Sequence, residues 1–188
     1  MATDPLYQKI TAEEFLAMDF GTDRKFELVD GVIQMMTGGT LRHGHVAGNI
    51  YFALRQKLGD GRCRPFNSDI GVRVGPTTIR YPDVSIICRE DWLFQEDVKA
   101  VDDPVVIFEV LSPSTSSFDQ GTKLDEYERI ASVQTVAFID PVNRLTRVRH
   151  RRSPTSWFDT SFVQPQVVEL PALGVVLTEA EIFHSLPW

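Results

Sequence analysis

Apolar and polar positions along the chain fall into blocks of two different periods. Thr11 followed three residues later by Glu14 opens a short amphipathic segment with the pattern of a capping box, which predicts a helix start. In FELVDGVIQMM, residues 26–36, two apolar runs flank Asp30-Gly31, a dipeptide suited to a tight hairpin turn. Residues 43–58 (HGHVAGNIYFALRQKL) bring Ala47, Ile50, Leu54 and Leu58 onto one stripe, which predicts a helix packed on a sheet. Strands are expected at 63–66, 70–74, 81–88 and 105–111. The last is an unbroken apolar run, typical of a strand covered on both faces. A Ser/Pro-rich turn, SPSTSS, leads into a helix over 119–131. A strand in VQTVAFID, a hairpin-like stretch over 144–162 and a short closing helix in TEAEIFHSL complete the pattern. This order predicts an α/β (α+β) fold, a mixed β-sheet flanked by helices.

Length narrows the picture to one domain spanning 1–188, because a chain of 188 residues can bury one sizeable core and is short for two. The share of hydrophobic residues, 43%, and of charged residues, 24%, is that of an ordinary globular protein. No apolar run reaches the roughly 20 residues that a spanning helix needs, and MATDPLYQKI lacks the basic and apolar regions of a signal peptide. No membrane association and a cytoplasmic location are therefore expected. Cys63 and Cys88 stand in no metal-binding spacing and are too few for a disulfide framework, so both are expected to be structural thiols, buried or nearly so.

The net charge of -7 disfavours nonspecific attraction to phosphates. It is unevenly spread: residues 89–103 carry six acids against two bases, whereas 144–152 (RLTRVRHRR) carry five arginines. That run reads equally as a basic ridge and as a solvated edge strand whose charges block aggregation.

Three residues look chemically out of place. Glu109 interrupts VVIFEVL, in the most apolar strand; a charge buried there must be neutralised, paired or bound to metal. Asp83 follows Pro82 at the start of the YPDVSIIC strand, 26 residues earlier, and the connection is long enough for the two strands to be neighbours. Asp83, Glu109 and the main-chain carbonyl of Val110 together offer the oxygen ligands that Mg2+ prefers. Lys123 falls on the apolar face of its predicted helix with Leu124, Tyr127 and Ile130. There it would orient a water or meet charge on a phosphate, or else snorkel and pair with Glu126. His43 shares the stripe of Ala47, Ile50 and Leu54, whereas His45 lies on the opposite side. Glu27, in FELVD, is a further carboxylate candidate. Ser112 to Ser117 offer no GxSxG elbow, so hydroxyls there suit helix capping or phosphate contact.

The wording around these residues resembles the Uma-two family of bacterial restriction-endonuclease-like proteins, a domain of unknown function within the PD-(D/E)xK nuclease superfamily. The likeness runs through FELVDG (26–31), RHGHVAGNI (42–50), NSDIGVRV (67–74), YPDVSII (81–87), VIFEVLSPST (106–115), the D-x-G-x-K-x-x-x-Y helix from Asp119 to Tyr127, and LPALGVVL (170–177). EVLSPST after a PDV strand is its most specific part. The resemblance implies a restriction-endonuclease-like fold with Asp83 and Glu109 as the metal carboxylates of adjacent strands, and His43 as the family histidine. The superfamily lysine, expected two residues after Glu109, is replaced by Leu111, and Lys123 looks like that lysine moved to the adjoining helix. The implied function is an endonuclease dependent on Mg2+ (or Mn2+) that hydrolyses DNA phosphodiester bonds, with Asp83, Glu109, Lys123, His43 and Glu27 at its site. A homodimer would place two sites across two strands. The alternative is a noncatalytic nuclease-fold protein that binds nucleic acid or protein.

Overall fold

A computed structural model describes residues 9–90, 97–112, 117–162 and 167–186, with backbone only at 117–119. Residues 113–116 of the SPSTSS turn and part of the acidic 89–103 stretch lie outside the described residues.

The first helix, α1 (Ala12–Ala17), starts as its sequence predicts: Thr11 caps the Glu14 amide while the Glu14 carboxylate returns to the Thr11 amide. Next, β1 (Phe26–Val29) and β2 (Val32–Met35) form the expected hairpin. Asp30 and Gly31 both take positive φ, 49° and 81°, as a two-residue turn matched to strand twist requires. The long helix α2 (Leu41–Leu58) is capped by the Thr40 hydroxyl on the His43 amide and ends at Gly59, φ 56°.

Then follow β3 (Cys63–Asn67), β4 (Gly71–Gly75), β5 (Thr78–Arg80), β6 (Val84–Cys88), β7 (Ala100–Val101) and β8 (Pro104–Val110). Helix α3 (Ser117–Glu128) crosses from β8 to its parallel neighbour β9 (Thr135–Asp140). The chain closes with the hairpin β10 (Leu145–Ser153) and β11 (Ser156–Phe162), the ribbon β12 (Val167–Leu170) and β13 (Val175–Thr178), and α4 (Glu179–Ile182). Among the described residues no helix is long and apolar enough to cross a membrane.

Where one mixed sheet was expected, the strands among the described residues form two sheets and a ribbon. The larger sheet runs β11-β10-β9-β8-β6-β3 and the smaller β2-β1-β5-β4-β7. Period-two alternation along the larger sheet feeds two cores. Val84, Ile86, Val106, Phe108, Val110, Ala137 and Ile139 pack against Val46, Ile50 and Leu54 of α2 and against the ribbon. On the opposite face Ile87, Ile107, Val136 and Phe138 meet Leu124, Tyr127 and Ile130 of α3. A third core joins Ala12 and Phe15 of α1 to Leu28 and Ile79 of the smaller sheet. As β8 is covered on both sides, its continuous apolar sequence is explained.

Two expectations are corrected. Cys63 and Cys88 are not thiols: antiparallel pairing of β3 with β6 sets them directly opposite, and they form a disulfide. The arginine-rich β10 is not an edge strand, because β11 lies beyond it. Three of its arginines are engaged within the fold: Arg147 pairs with Asp159 at 2.6 Å, Arg149 with Glu128 at 2.6 Å, and Arg151 donates to the carbonyls of Val133, Glu128 and Ile130, while the exposed Arg152 lies over the Phe158 ring.

Candidate functional site

The β6–β8 register pairs Val84 with Phe108, so one step further brings Asp83, just before β6, opposite Glu109 near the end of β8. Alternation puts Glu109 on the same face as Ile107, toward α3. It is only 6% exposed. The α3 helix answers it from two successive turns. Lys123 Nζ lies 3.2 Å and 3.1 Å from the two carboxylate oxygens, and the Tyr127 hydroxyl donates to Glu109 Oε1 at 2.6 Å. Positions i and i+4 on a helix share a face, and so the two donors reach one acceptor. The expected alternative, Lys123 pairing with Glu126, is not what the structure shows: Glu126 pairs with Arg80 instead.

Burial pushes the Glu109 carboxyl above its ordinary range; the Lys123 ammonium opposes this, and the negative charge of Asp83 adds to it. Burial also lifts the Tyr127 hydroxyl well above its usual value, with the Glu109 charge acting in the same direction. Tyr127 therefore keeps its proton and donates it in a hydrogen bond to Glu109.

Asp83 takes its place from the other side. Its Oδ2 accepts from the Val110 amide at 2.7 Å and lies 3.2 Å from His43 Nε2. The hydrogen bond to Asp83 raises the His43 pKa, against burial, and a further interaction with the Val110 main chain works in the same direction. His43 thus reaches the site from the first turn of α2, as its helical stripe predicts. His45 turns away, its Nε2 2.8 Å from the His184 carbonyl oxygen.

These groups open into a cleft of about 980 Å³ between the β1–β2 hairpin, the first turns of α2 and the end of β8. Glu27 lines the same cleft but does not touch Glu109; it accepts from Arg80 at 3.0 Å. Arg80, 2% exposed, also places Nε and Nη2 on the two oxygens of Glu126 at 2.7 Å and 3.0 Å. Burial, which disfavours its charge, is outweighed by the Glu126 hydrogen bond and the Glu27 charge, so its pKa stands above the ordinary arginine value.

Asp83, Glu109, Lys123 and His43 are thus brought together, with Glu27 in the wall. Sequence reading missed Arg80 and the hydroxyl of Tyr127. A signal for the first was an arginine directly before Tyr81-Pro82-Asp83; for the second, a buried tyrosine needs a partner for its hydroxyl.

The donor set suits a hard divalent ion. Asp83 and Glu109 stand close enough for the charge of one to raise the pKa of the other, and the Val110 carbonyl belongs to the same strand end. Among the described residues no three His, Cys, Asp or Glu side chains cluster as a metal site, so Asp83 and Glu109 would be completed by main-chain oxygen and water.

A solved structure from Anabaena variabilis, described as "a putative nuclease belonging to DUF820", superposes with a TM-score of 0.74 at 20% identity, covering 93% of this chain and 97% of that one. Two uncharacterized proteins of Synechocystis sp. are 25% identical over 96% of this chain (94% of the relative) and 30% identical over 70% (75% of the relative). The model of the Uma2 family, described as "Putative restriction endonuclease", matches residues 12–180, and the chain with its nuclease-like fold belongs to that family.

Proposed function

We propose that this chain is a single-domain Mg2+-dependent (or Mn2+-dependent) endonuclease that hydrolyses DNA phosphodiester bonds, working in the cytoplasm as a homodimer. The observation that carries this reading is the pair Asp83 and Glu109, opposed where β6 begins and β8 ends and lining one cleft, with Lys123 on Glu109.

Asp83, Glu109 and the Val110 carbonyl would hold the ion. The chemistry supplied by the bound ion is polarisation of the scissile phosphate and a lowered pKa for a bound water. The protein's part is positioning and charge. Lys123, fixed by Glu109, presents an ammonium that orients the attacking water and meets negative charge on the phosphate. His43, favoured in its protonated form by Asp83, adds a second positive group at the cleft wall. Glu27 completes the surrounding shell from the β1–β2 hairpin.

A second reading has its own support. The net charge is -7, and Arg147, Arg149 and Arg151 are spent on internal partners. That favours a noncatalytic nuclease-fold protein acting through binding.

Calorimetric titration of Mg2+ and Mn2+ into the parent, Asp83→Asn and Glu109→Gln separates the two, with circular dichroism confirming folding and cleavage of supercoiled plasmid as the activity readout. Binding by the parent alone, accompanied by cleavage, is expected. A parent that binds no ion even with DNA present would leave the binding scaffold.

A further inference from the structure

The geometry points to Arg80 as the positioning residue of the site: through its fork on Glu126 it sets the rotation of α3 that delivers Lys123 and Tyr127 to Glu109. The inference deepens the nuclease reading and rests on it for the role of Lys123.

Arg80 ends β5 of the smaller sheet, three residues before Asp83, and is buried. Its guanidinium uses all three nitrogens: Nη1 on Glu27 of β1, Nε and Nη2 on the two oxygens of Glu126. Parallel bonds from a planar fork fix orientation as well as distance, which a single ammonium cannot do. Lys123, Glu126 and Tyr127 occupy positions i, i+3 and i+4 of α3 and are neighbours on its surface. Two of them grip Glu109 on the larger sheet and the third grips Arg80 on the smaller one. The helix is therefore held on both sheets at this turn, and Arg149 of β10 anchors its last residue, Glu128, as well. A lysine stem is flexible, yet Lys123 Nζ stands almost equally far from both Glu109 oxygens, at 3.2 Å and 3.1 Å. Rotating α3 about its axis would move Lys123 and Tyr127 together. Glu126 lies between them in sequence, so the Arg80–Glu126 fork resists that rotation at their own turn, beyond what the apolar packing of Leu124 and the Arg149–Glu128 pair at the helix end supply.

The test reads Lys123 directly, without metal or DNA. Parent, Glu126→Gln and Arg80→Lys are treated with an amine-reactive acetylating ester, and acetylation of each lysine is followed by peptide mass spectrometry on protein shown folded by circular dichroism. Lys57, paired with Glu181 on α4, is the internal control. Acetylation of Lys123 should rise about fivefold in both variants, the factor that goes with the coupling of neighbours in one network, while Lys57 stays at the parent rate. Glu27→Gln, which leaves the fork intact, should leave Lys123 at the parent rate. A parent-like Lys123 in folded Glu126→Gln, or an equal rise at Lys57, would overturn the assignment. On plasmid, kcat should fall in Glu126→Gln with KM unchanged; a KM effect alone would overturn it too. A parent that cleaves nothing defeats the nuclease reading, and the acetylation result still decides whether Arg80 positions Lys123.

Discussion

Tyr127 donates its hydroxyl to Glu109 across 2.6 Å of protein interior, joining α3 to β8 at the point where Lys123 also reaches that carboxylate. The bond satisfies an oxygen that burial removes from water. Tyr127→Phe deletes the donor and leaves the acceptor in place, so the cost is the desolvation of that oxygen, about 1–3 kcal/mol. Urea denaturation followed by circular dichroism checks it. A Tyr127→Phe protein as stable as the parent would mean that Lys123 alone suffices for Glu109.

Glu109→Gln asks whether the buried carboxylate belongs to a site or to the framework. Its amide oxygen can still accept from Tyr127, and Lys123, half-buried, can turn toward the cleft. A folded variant with a loss of about 1–3 kcal/mol and no measurable Mg2+ binding is expected. Wholesale unfolding would mark Glu109 and Lys123 as a structural ion pair whose rupture strands a charge.

The His43–Asp83 pair gives a pH dependence of known sign. His43 has a folded pKa above its ordinary value, chiefly through the Asp83 hydrogen bond. The folded state thus binds the proton more tightly than the unfolded chain. The resulting stabilisation is complete below the ordinary pKa of 6.5 and disappears as pH climbs through the raised value. The Tm difference between the parent and His43→Gln should therefore be largest near about pH 6 and shrink by about pH 9. A difference that grows with pH would contradict the pairing.

Much of this was legible where the signal is local. The Thr11–Glu14 box, the Asp30-Gly31 turn and the apolar run of β8 each carry their cause within a few residues. Glu109 was conspicuous because its own strand gave it no reason to be charged, and His43 and Lys123 because helical period put them on apolar faces. What escaped depends on distant partners or very short elements. Strand β7 has two residues and β5 three, too few for a period. Pro82 and Asp83 read as strand, yet β6 starts only at Val84. Arg80 meets residues 46 and 53 positions away, and the Cys63–Cys88 pairing follows from a register no local pattern reveals.

At Gly31 the turn and its surroundings make the same demand. Its φ is 81°, and an added Cβ would stand 2.5 Å from Cβ of Lys9. Gly31→Ala therefore pays both for a left-handed backbone and for displacing the segment before α1. A loss of about 1–3 kcal/mol is expected in thermal or urea unfolding. Asp30→Gly, at the neighbouring positive φ, should instead be nearly neutral or slightly stabilising apart from its lost pairing with Lys9.

The Cys63–Cys88 bridge ties the edge strand β3 to β6 at the end of β6 opposite Asp83. Closing a loop with a sequence separation of 25 restricts the unfolded chain by about 3–4 kcal/mol. For a chain of this length that amounts to about 10 °C in Tm. Melting with and without a dithiol reductant should show a drop of that order in the parent, whereas Cys63→Ser/Cys88→Ser should melt low under both conditions. Because Asp83, Glu109 and α3 are anchored by their own hydrogen bonds at the far end of the strand, Mg2+ affinity should survive reduction in protein that remains folded. Equal melting in both conditions, with no free thiol titrated after reduction, would show that the bridge is shielded from reductant. Equal melting with two thiols titrated would show that the edge strand holds without it.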